Sequence, residues 1–315
     1  MNGVVNAMSV DVEDYFHASA FDRIVSRESW GERESRVIRN TEILLDCFGR
    51  AGVKATFFIL GWVAEKFPQL VRDIAVQGHE VASHGYYHQL IYTLTLDQFR
   101  EDVRRAKATL EDAFGGSVKG YRAPSFSIVQ PSLWALDVLI EQGYTYDASI
   151  FPIRHDRYGI PDAPRHTHVI DRNRRKFARR MFERDEPPRR VFTGGTRSIV
   201  EVPAATVRLG NRNLPIAGGG YFRLLPYAWT HWGMARANHE GTPVVFYIHP
   251  WEVDPEQPRL PVGRVTRWRH YGGLEKTRAR LERVLRDFQF NTVAESLLPQ
   301  TSTAVPDGAW LAYAK

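Results

Sequence analysis

Three acidic residues follow directly on an apolar segment near the start of the chain. Residues 4–10 are mostly apolar, and Asp11, Glu13 and Asp14 come next. Carboxylates at the end of a buried strand stand where α/β proteins gather their catalytic and binding groups. A solvated turn or a helix N-cap would explain the same acids. The cluster therefore indicates chemistry only if partner groups lie at neighbouring strand ends.

Two histidines separated by four positions end a second apolar segment. Residues 79–88 read HEVASHGYYH, which places His84 and His88 four positions apart. If the segment turns helically, this spacing puts both imidazoles on one face. Two imidazole nitrogens and one carboxylate can hold a divalent cation and leave positions open for water and substrate. Such pairs also occur on ordinary helix surfaces, but the acidic cluster favours the metal-binding interpretation.

Two further polar residues, Arg122 and His249, end later apolar segments. Arg122 lies in 120–126 (GYRAPSF), and His249 lies in 246–251 (FYIHPW). Each alone is compatible with an ordinary surface arginine or a capping histidine. Together with the acids and the histidine pair, they would occupy the carboxyl ends of parallel strands, where barrel enzymes carry their catalytic groups. The sequence therefore predicts an active site at that rim.

Short apolar runs alternate with longer segments of helical period over the first half of the chain. This alternation indicates right-handed βαβ units and a parallel sheet, either open or closed into a barrel. We predict strands at 4–10, 54–60, 79–83, 117–122 and 145–147, and helices at 36–50, 68–77, 95–114 and 131–142.

The alternation weakens between residues 151 and about 242 and then resumes. The weaker region contains prolines, a basic run at 172–190 and two glycine-rich stretches, without a low-complexity linker. Beyond it we predict a strand at 243–248, a helix at 274–288 and a strand at 290–294. We therefore expect a single domain over residues 1–298, with an insertion at about 152–242 and a tail at 299–315.

Composition indicates a globular protein, because 43% of the 315 residues are hydrophobic, which is too many for a disordered chain. The single cysteine, Cys47, cannot form an internal disulfide, and we interpret it as a small core residue. The first residues lack a basic segment followed by a long apolar stretch. No window offers about 18 uninterrupted apolar residues. These features predict a soluble, cytoplasmic protein.

The net charge of +6 owes much to the basic run 172–190. A solvated surface insertion is the plainest interpretation of such a run. Contact with an anionic membrane or a phosphate-linked glycan is the alternative. Nucleic acid is not an expected partner, because no helix-turn-helix, zinc-finger or RNA-recognition motif accompanies the run. The sequence does not predict an oligomeric state.

These motifs, in this order between residues 9 and 250, resemble those of the polysaccharide deacetylase family (NodB homology, carbohydrate esterase family 4). The resemblance implies an irregular (β/α) barrel of the NodB type, similar to a TIM barrel, with an inserted loop-rich region. It also implies a metal-dependent enzyme. The roles implied in this chain are a catalytic base, its orienting partner, a catalytic acid and two metal ligands, namely Asp11, Arg122, His249, His84 and His88 in that order.

The sequence leaves the third metal ligand open. The family usually has two adjacent aspartates after its first strand, whereas here Val12 follows Asp11 and precedes Glu13 and Asp14. Either of the two later acids could therefore be the ligand. The implied cofactor is a divalent metal, with Zn²⁺ expected and Co, Ni, Mn or Fe as alternatives.

Two further roles are predicted around these motifs. The segment 146–150 (YDASI) resembles the one that tunes the acid histidine, and it makes Asp147 a candidate, although the usual tryptophan is absent. We also predict substrate contacts from Tyr121, Pro124 and Trp251, which adjoin the arginine and histidine motifs.

A narrower resemblance involves the motifs EVP, GGGYFR, HPWE and RHY at 201–203, 218–223, 249–252 and 269–271. They look like deacetylases associated with exosortase-linked exopolysaccharide gene clusters. This implies removal of N-acetyl groups from an amino-sugar glycan, including a lipid-linked one, in exopolysaccharide or cell-envelope biosynthesis. Two alternatives stay open: hydrolysis of another carbon–nitrogen amide on the same scaffold, and a non-catalytic glycan-binding protein.

Overall fold

The computed structural model describes residues 3–171 and 198–298. The basic run 172–190 and the tail 299–315 lie outside the described residues. No described helix is both long and apolar enough to cross a membrane. The strands are β1 Val5–Val12, β2 Thr56–Ile59, β3 Glu80–Ser83, β4 Gly120–Tyr121, β5 Tyr146–Asp147, β6 His168–Asp171, β7 Ser198–Glu201, β8 Thr206–Leu209, β9 Arg212–Pro215, β10 Val245–Ile248 and β11 Gln289–Asn291. The helices are α1 Val37–Ala51, α2 Gly61–Lys66, α3 Pro68–Val76, α4 Leu96–Phe114, α5 Trp134–Glu141, α6 Gly219–Leu224, α7 Tyr227–His239, α8 Arg264–Tyr271, α9 Leu274–Asp287 and α10 Val293–Leu297.

Parallel pairing joins most of the strands into one sheet, in the order β10-β1-β2-β3-β4-β5-β7-β6. Strand β11 also pairs with β1, and β6 runs antiparallel to β7. Strands β8 and β9 form a separate antiparallel hairpin. Because β1 pairs with β2, β10 and β11, strands from the beginning and the end of the chain meet in the sheet.

The two faces of the sheet carry separate hydrophobic clusters. Met8 and Phe57 belong to the larger cluster, which includes the apolar sides of the helices. Their sequence neighbours Ala7 and Phe58 belong to a smaller cluster whose members come mostly from strands. Side chains alternate between the two faces along a strand. One face is therefore covered by helices, and the other by opposing strands, as in a barrel.

The predicted parallel sheet and its helices are confirmed in the first half of the chain, with small shifts at their ends. Strand β1 extends to Val12, beyond the predicted end at residue 10. The prediction of a strand at 290–294 is wrong for the second half of that range. There the Thr292 side chain accepts from the Glu295 amide, and α10 begins at Val293. Cys47 is buried, as predicted.

Helix α7 lies in the region where the sequence pattern weakens. Its buried side includes Gly233 and Met234, whereas Trp232 on the other side is 39% exposed. Periodicity identifies a helix when apolar residues follow one stripe. Apolar residues on both sides of α7 blur that period, and the helix was therefore not predicted.

Candidate active site

Four polar side chains meet at the carboxyl edge of the sheet. Asp11 lies near the end of β1, and His84, Arg122 and His249 follow directly on β3, β4 and β10. Alternation along β1 places Asp11 on the inner face, together with Ala7. Asp11, His84 and Arg122 are buried, whereas the side chain of His249 is 18% exposed. The structure thus brings together the strand ends on which the sequence prediction depends.

Glu13, His84 and His88 form a buried cluster suited to a divalent cation. One ligand atom from each lies within 4.8 Å of those of the other two. Nδ1 of His84 donates to the Arg122 carbonyl oxygen at 2.9 Å, which leaves Nε2 as the binding atom. Oε2 of Glu13 lies 2.7 Å from Nε2 of His88, yet it has no hydrogen-bond partner of suitable geometry. Two imidazoles and an unsatisfied carboxylate are a donor set for a catalytic divalent metal.

Burial and mutual charge favour the protonation states that a metal requires. Burial lowers the pKa of His84 to about 4, so its imidazole is neutral near pH 7. Burial alone would raise the pKa of Glu13, but interaction with His88 and His249 holds that pKa well below its ordinary value. Metal ligands must be neutral imidazoles and ionised carboxylates. His84 and Glu13 are therefore in the protonation states that bind a metal ion.

Asp14 points away from the cluster and caps neighbouring backbone. Its Oδ1 accepts from the Tyr15 amide at 3.1 Å. Its Oδ2 accepts from Ser35 Oγ at 2.6 Å and from the Arg36 amide at 2.9 Å, directly before α1. A carboxylate in this position satisfies amides at the start of a helix. Of the two acids that the sequence leaves open, the structure puts Glu13 in the cluster and Asp14 outside it.

Left-handed backbone conformations shape the loops after β3 and β4. Among the non-glycine residues of the described chain, His88, Ser125 and Phe126 have φ values of 52°, 53° and 53°. Such conformations cost about 1–3 kcal/mol each and concentrate at functional sites. The Asp102 carboxylate accepts from two backbone amides of the 84–88 turn at 2.9 and 3.3 Å. It thereby holds the turn that presents the second histidine of the cluster.

Arg122 fixes the position of Asp11. Its Nη1 donates to Oδ1 of Asp11 at 2.6 Å and to Oγ of Ser9 at 2.9 Å. Its Nε donates to the Ala148 carbonyl oxygen at 3.2 Å. Charge-assisted hydrogen bonds of this kind are stronger than neutral ones. The second oxygen of Asp11, Oδ2, lies 3.8 Å from Nε2 of His249.

His249 is held by a carboxylate that the sequence analysis missed. Nδ1 of His249 donates to Oε2 of Glu252 at 2.9 Å, and Oε1 of Glu252 accepts from Nε of Arg223 at 2.5 Å. Burial alone would lower the pKa of His249, but Glu252 raises it to about 9. His249 therefore carries a proton near neutral pH. The sequence signal for this support is in the motifs 249–252 and 218–223, which contain Glu252 and Arg223.

Asp147, the predicted partner of His249, makes its contacts elsewhere. Its Oδ1 accepts from Ser149 Oγ at 2.5 Å, and Glu201 hydrogen-bonds to it. Burial and the neighbouring Asp147 raise the pKa of Glu201 well above its ordinary value. Two carboxyl groups in a dry interior cannot both ionise easily. The pair is therefore a feature of the barrel interior, and Glu252 takes the place next to His249.

The three residues predicted to contact substrate are buried. Tyr121 is 0% exposed and packs among aromatic rings of the core, so its side chain offers no surface to a substrate. Pro124 is buried at the start of the left-handed turn. Trp251 is 5% exposed, and its Nε1 donates to Oε1 of Glu13 at 3.0 Å. In this structure Trp251 supports the metal cluster.

Two family profiles together match most of the chain. The profile described as "Polysaccharide deacetylase" matches residues 34–146. The profile described as "Domain of unknown function (DUF3473)" matches residues 148–298. The first region contains His84, His88 and Arg122, and the second contains His249. The candidate site therefore combines side chains from both matched regions.

Curated relatives match the chain over limited segments. A peptidoglycan-N-acetylglucosamine deacetylase of Bacillus cereus is 36% identical over 98 residues, which is 31% of this chain and 36% of that protein. A chitooligosaccharide deacetylase of Sinorhizobium fredii is 34% identical over 100 residues, covering 31% of this chain and 44% of that protein. The chain thus spans less than half the length of these relatives.

A solved structure extends the similarity over nearly the whole fold. A Mycobacterium smegmatis protein assigned to the polysaccharide deacetylases matches with a TM-score of 0.56 and 17% sequence identity. The match covers 97% of this chain and 96% of that protein. This similarity confirms the irregular (β/α) barrel expected from the sequence.

Proposed function

On the premise that the chain belongs to the polysaccharide deacetylase family, we propose that it hydrolyses the N-acetyl group of an acetylated amino-sugar glycan. The observation that carries this proposal is the meeting of three groups at one point. Nε2 of His249 lies 3.8 Å from Asp11 and 3.7 Å from Glu13 of the metal cluster. A base, an acid and a cation-binding cluster are what hydrolysis of an unactivated amide requires.

Glu13, His84 and His88 would hold the divalent metal, and Zn²⁺ suits two imidazoles and one carboxylate. When bound, such a cation supplies Lewis acidity, which makes water more acidic and draws electron density from a carbonyl oxygen. Trp251 holds Oε1 of Glu13 by its indole N–H. A fixed partner of this kind keeps a ligand oriented.

The chain's own residues would move the protons. Asp11 takes the proton of the attacking water on Oδ2, while Arg122 holds Oδ1. His249 then gives the proton on Nε2 to the departing amine, because Nδ1 is held by Glu252. An amine is a poor leaving group unless it is protonated, so this step decides the direction in which the tetrahedral intermediate collapses.

The domain organisation and the biological setting are also proposals. Strand β2 lies in the first profile match and β10 in the second, and both pair with β1 in one sheet. This pairing supports a single domain over 1–298 with an insertion at about 152–242. The narrower resemblance to exosortase-associated deacetylases supports a lipid-linked or exopolysaccharide glycan as substrate. Both stay predictions.

A substrate panel tests the proposed reaction. Metal-loaded protein is incubated with N-acetylglucosamine oligomers, a lipid-linked acetylated sugar, a cyclic amide and a formamide. We expect acetate and free amine to appear in equal amounts from at least one acetylated sugar. Cleavage of the cyclic amide or the formamide alone would contradict glycan deacetylation, and so would the absence of any acetate release.

Glu252→Gln is expected to lower kcat about 10–100-fold with a smaller change in KM, which is part of the roughly 10²–10⁴-fold that a general acid contributes. Gln can still accept from Nδ1 of His249, but it removes the negative charge that keeps the proton there. Glu252→Asp should restore part of kcat. Glu256→Gln is the matched control, because Glu256 lies nearby with 74% side-chain exposure. An unchanged kcat in a folded Glu252→Gln protein would remove Glu252 from the mechanism.

A further inference from the structure

Helix α8 presents apolar and cationic side chains together to solvent. Val265 is 63% exposed and Trp268 is 60% exposed. Positions three or four apart share a helix face, so Trp268 lies beside Val265 and Arg264. The helix contains no acidic residue. Arg264 and Arg267 are both exposed, and in the described part of the chain neither takes part in an ion pair.

A second group of the same chemistry lies on α7 and the β8–β9 hairpin. Leu209 is 52% exposed and Trp232 is 39% exposed, and they line one open groove together with Leu225, Pro226, Ala228 and Trp229. Leu209 pairs directly with Arg212 across the hairpin, so both side chains leave the same face. The Arg236 guanidinium lies 5.8 Å from the Trp232 ring, and it forms an ion pair with Glu240 at 3.1 Å. Cations therefore border this apolar patch too.

Helix α8 lies at the catalytic end of the barrel. The ring of His270 stacks on Trp251 at 4.2 Å, and Trp251 in turn donates to Glu13. Arg223, which holds Glu252, also donates to the Arg269 carbonyl oxygen at 3.0 Å. The exposed face of α8 is therefore at the rim of the candidate active site.

The patch on α7 lies toward the same end. Asn238, near the end of α7, exchanges hydrogen bonds with Asn6 at the start of β1. The last turn of α7 is therefore at the amino edge of the sheet, and its first turns run toward the carboxyl edge. A Cβ atom on Gly272, just after α8, would meet the side chain of Leu224 at 2.8 Å. The segment that leads into α7 thus packs against the end of α8.

We propose that Leu209, Trp232, Val265 and Trp268, with Arg212, Arg264 and Arg267, form a docking surface for an anionic phospholipid bilayer. Tryptophan favours the membrane–water interface, where its apolar ring and polar N–H are both satisfied. Arginine beside it is attracted by anionic headgroups. Docking at this surface would turn the catalytic rim toward the bilayer. The evidence for docking comes from this surface alone and does not depend on the proposed reaction.

Sedimentation with lipid vesicles tests this docking surface. The parent chain is expected to bind vesicles of phosphatidylglycerol and phosphatidylcholine more tightly than vesicles of phosphatidylcholine alone. Binding should weaken with salt, because the screening length falls from about 8 Å at physiological ionic strength to about 3 Å at 1 M. The double variant Val265→Ser/Trp268→Ser should bind about tenfold more weakly or worse, since its inserted apolar surface is gone. Arg264→Ser/Arg267→Ser should lose the preference for anionic vesicles.

Val76→Ser is the matched control. Val76 is 87% exposed, but it ends α3 just before β3 begins, so it lies at the opposite edge of the sheet. The Val76→Ser protein should bind vesicles as tightly as the parent does.

Equal vesicle binding by the parent and Val265→Ser/Trp268→Ser would overturn the proposal and assign any membrane contact to other segments. A parent dimer that this variant converts to a monomer would instead identify a self-association face. Activity on a small glycan should be unchanged in the variant, which separates this test from the proposed reaction.

Discussion

Asp11→Asn is expected to retain bound metal while its kcat falls by about 10²–10⁴-fold, the usual contribution of a general base. Asparagine keeps the shape of the side chain but cannot accept a proton from water. Oδ1 would still accept from Arg122, which now donates at 2.6 Å. Steady-state rates of acetate release and the metal content of the same samples give the two measurements.

Folding must be separated from catalysis in this variant. Removing one charge of a buried ion pair costs about 3–5 kcal/mol of unfolding free energy, and Arg122 is 1% exposed. Asp11→Glu keeps the charge and displaces the carboxylate, so it should be folded and still slow. Asp112→Asn, at an exposed position of α4, is the matched control and should behave as the parent. Turnover near the parent level in Asp11→Asn would rule out Asp11 as the base.

The second large effect is expected at the metal cluster. Glu13→Gln, His84→Ala and His88→Ala should each weaken metal binding by at least about a hundredfold, because loss of an outer partner already costs about 10–100-fold. Each variant removes one of the atoms that lie within 4.8 Å of one another. Elemental analysis after dialysis against a weak chelator measures the remaining metal. Full occupancy in all of them would disprove the site.

Asp14→Asn distinguishes the two acids that follow β1. Asp14 accepts from Ser35 and the Arg36 amide, outside the cluster. Its replacement should leave metal content unchanged and lower the unfolding free energy by about 1 kcal/mol, the usual value of a helix cap. Thermal unfolding of Asp14→Asn and Glu13→Gln, measured with metal content, gives the comparison. Metal loss in Asp14→Asn with full metal in Glu13→Gln would reverse the assignment.

The catalytic rim could be anticipated from the sequence because polar residues interrupt apolar strands at their ends. Asp11, His84, Arg122 and His249 each follow or end a short apolar run, and parallel strands bring such ends to one edge. The sequence also contains a feature that favours Glu13 over Asp14 as the third metal ligand. A strand that extends to Val12 puts Asp11 and Glu13 on one face by its period of two, but the predicted end at residue 10 concealed it.

The support of His249 could not be predicted in the same way. Glu252 and Arg223 are 29 positions apart in the chain, and their contact depends on the path of the segment between them. No local period reports such a path. The burial of Tyr121, in contrast, follows from the period of two of its own strand, because the residue next to Arg122 faces the helices rather than the barrel interior.

A metal titration tests most directly whether amide hydrolysis requires a metal ion bound by Glu13, His84 and His88. Protein stripped by a chelator is supplied with graded Zn²⁺, and bound metal and acetate release from the best acetylated sugar are measured on the same samples. We predict no turnover in the stripped protein, and turnover that rises in proportion to bound metal until each chain holds one ion. His84→Ala should show neither rise. Turnover that survives chelation, or that does not follow bound metal, would contradict metal-dependent deacetylation.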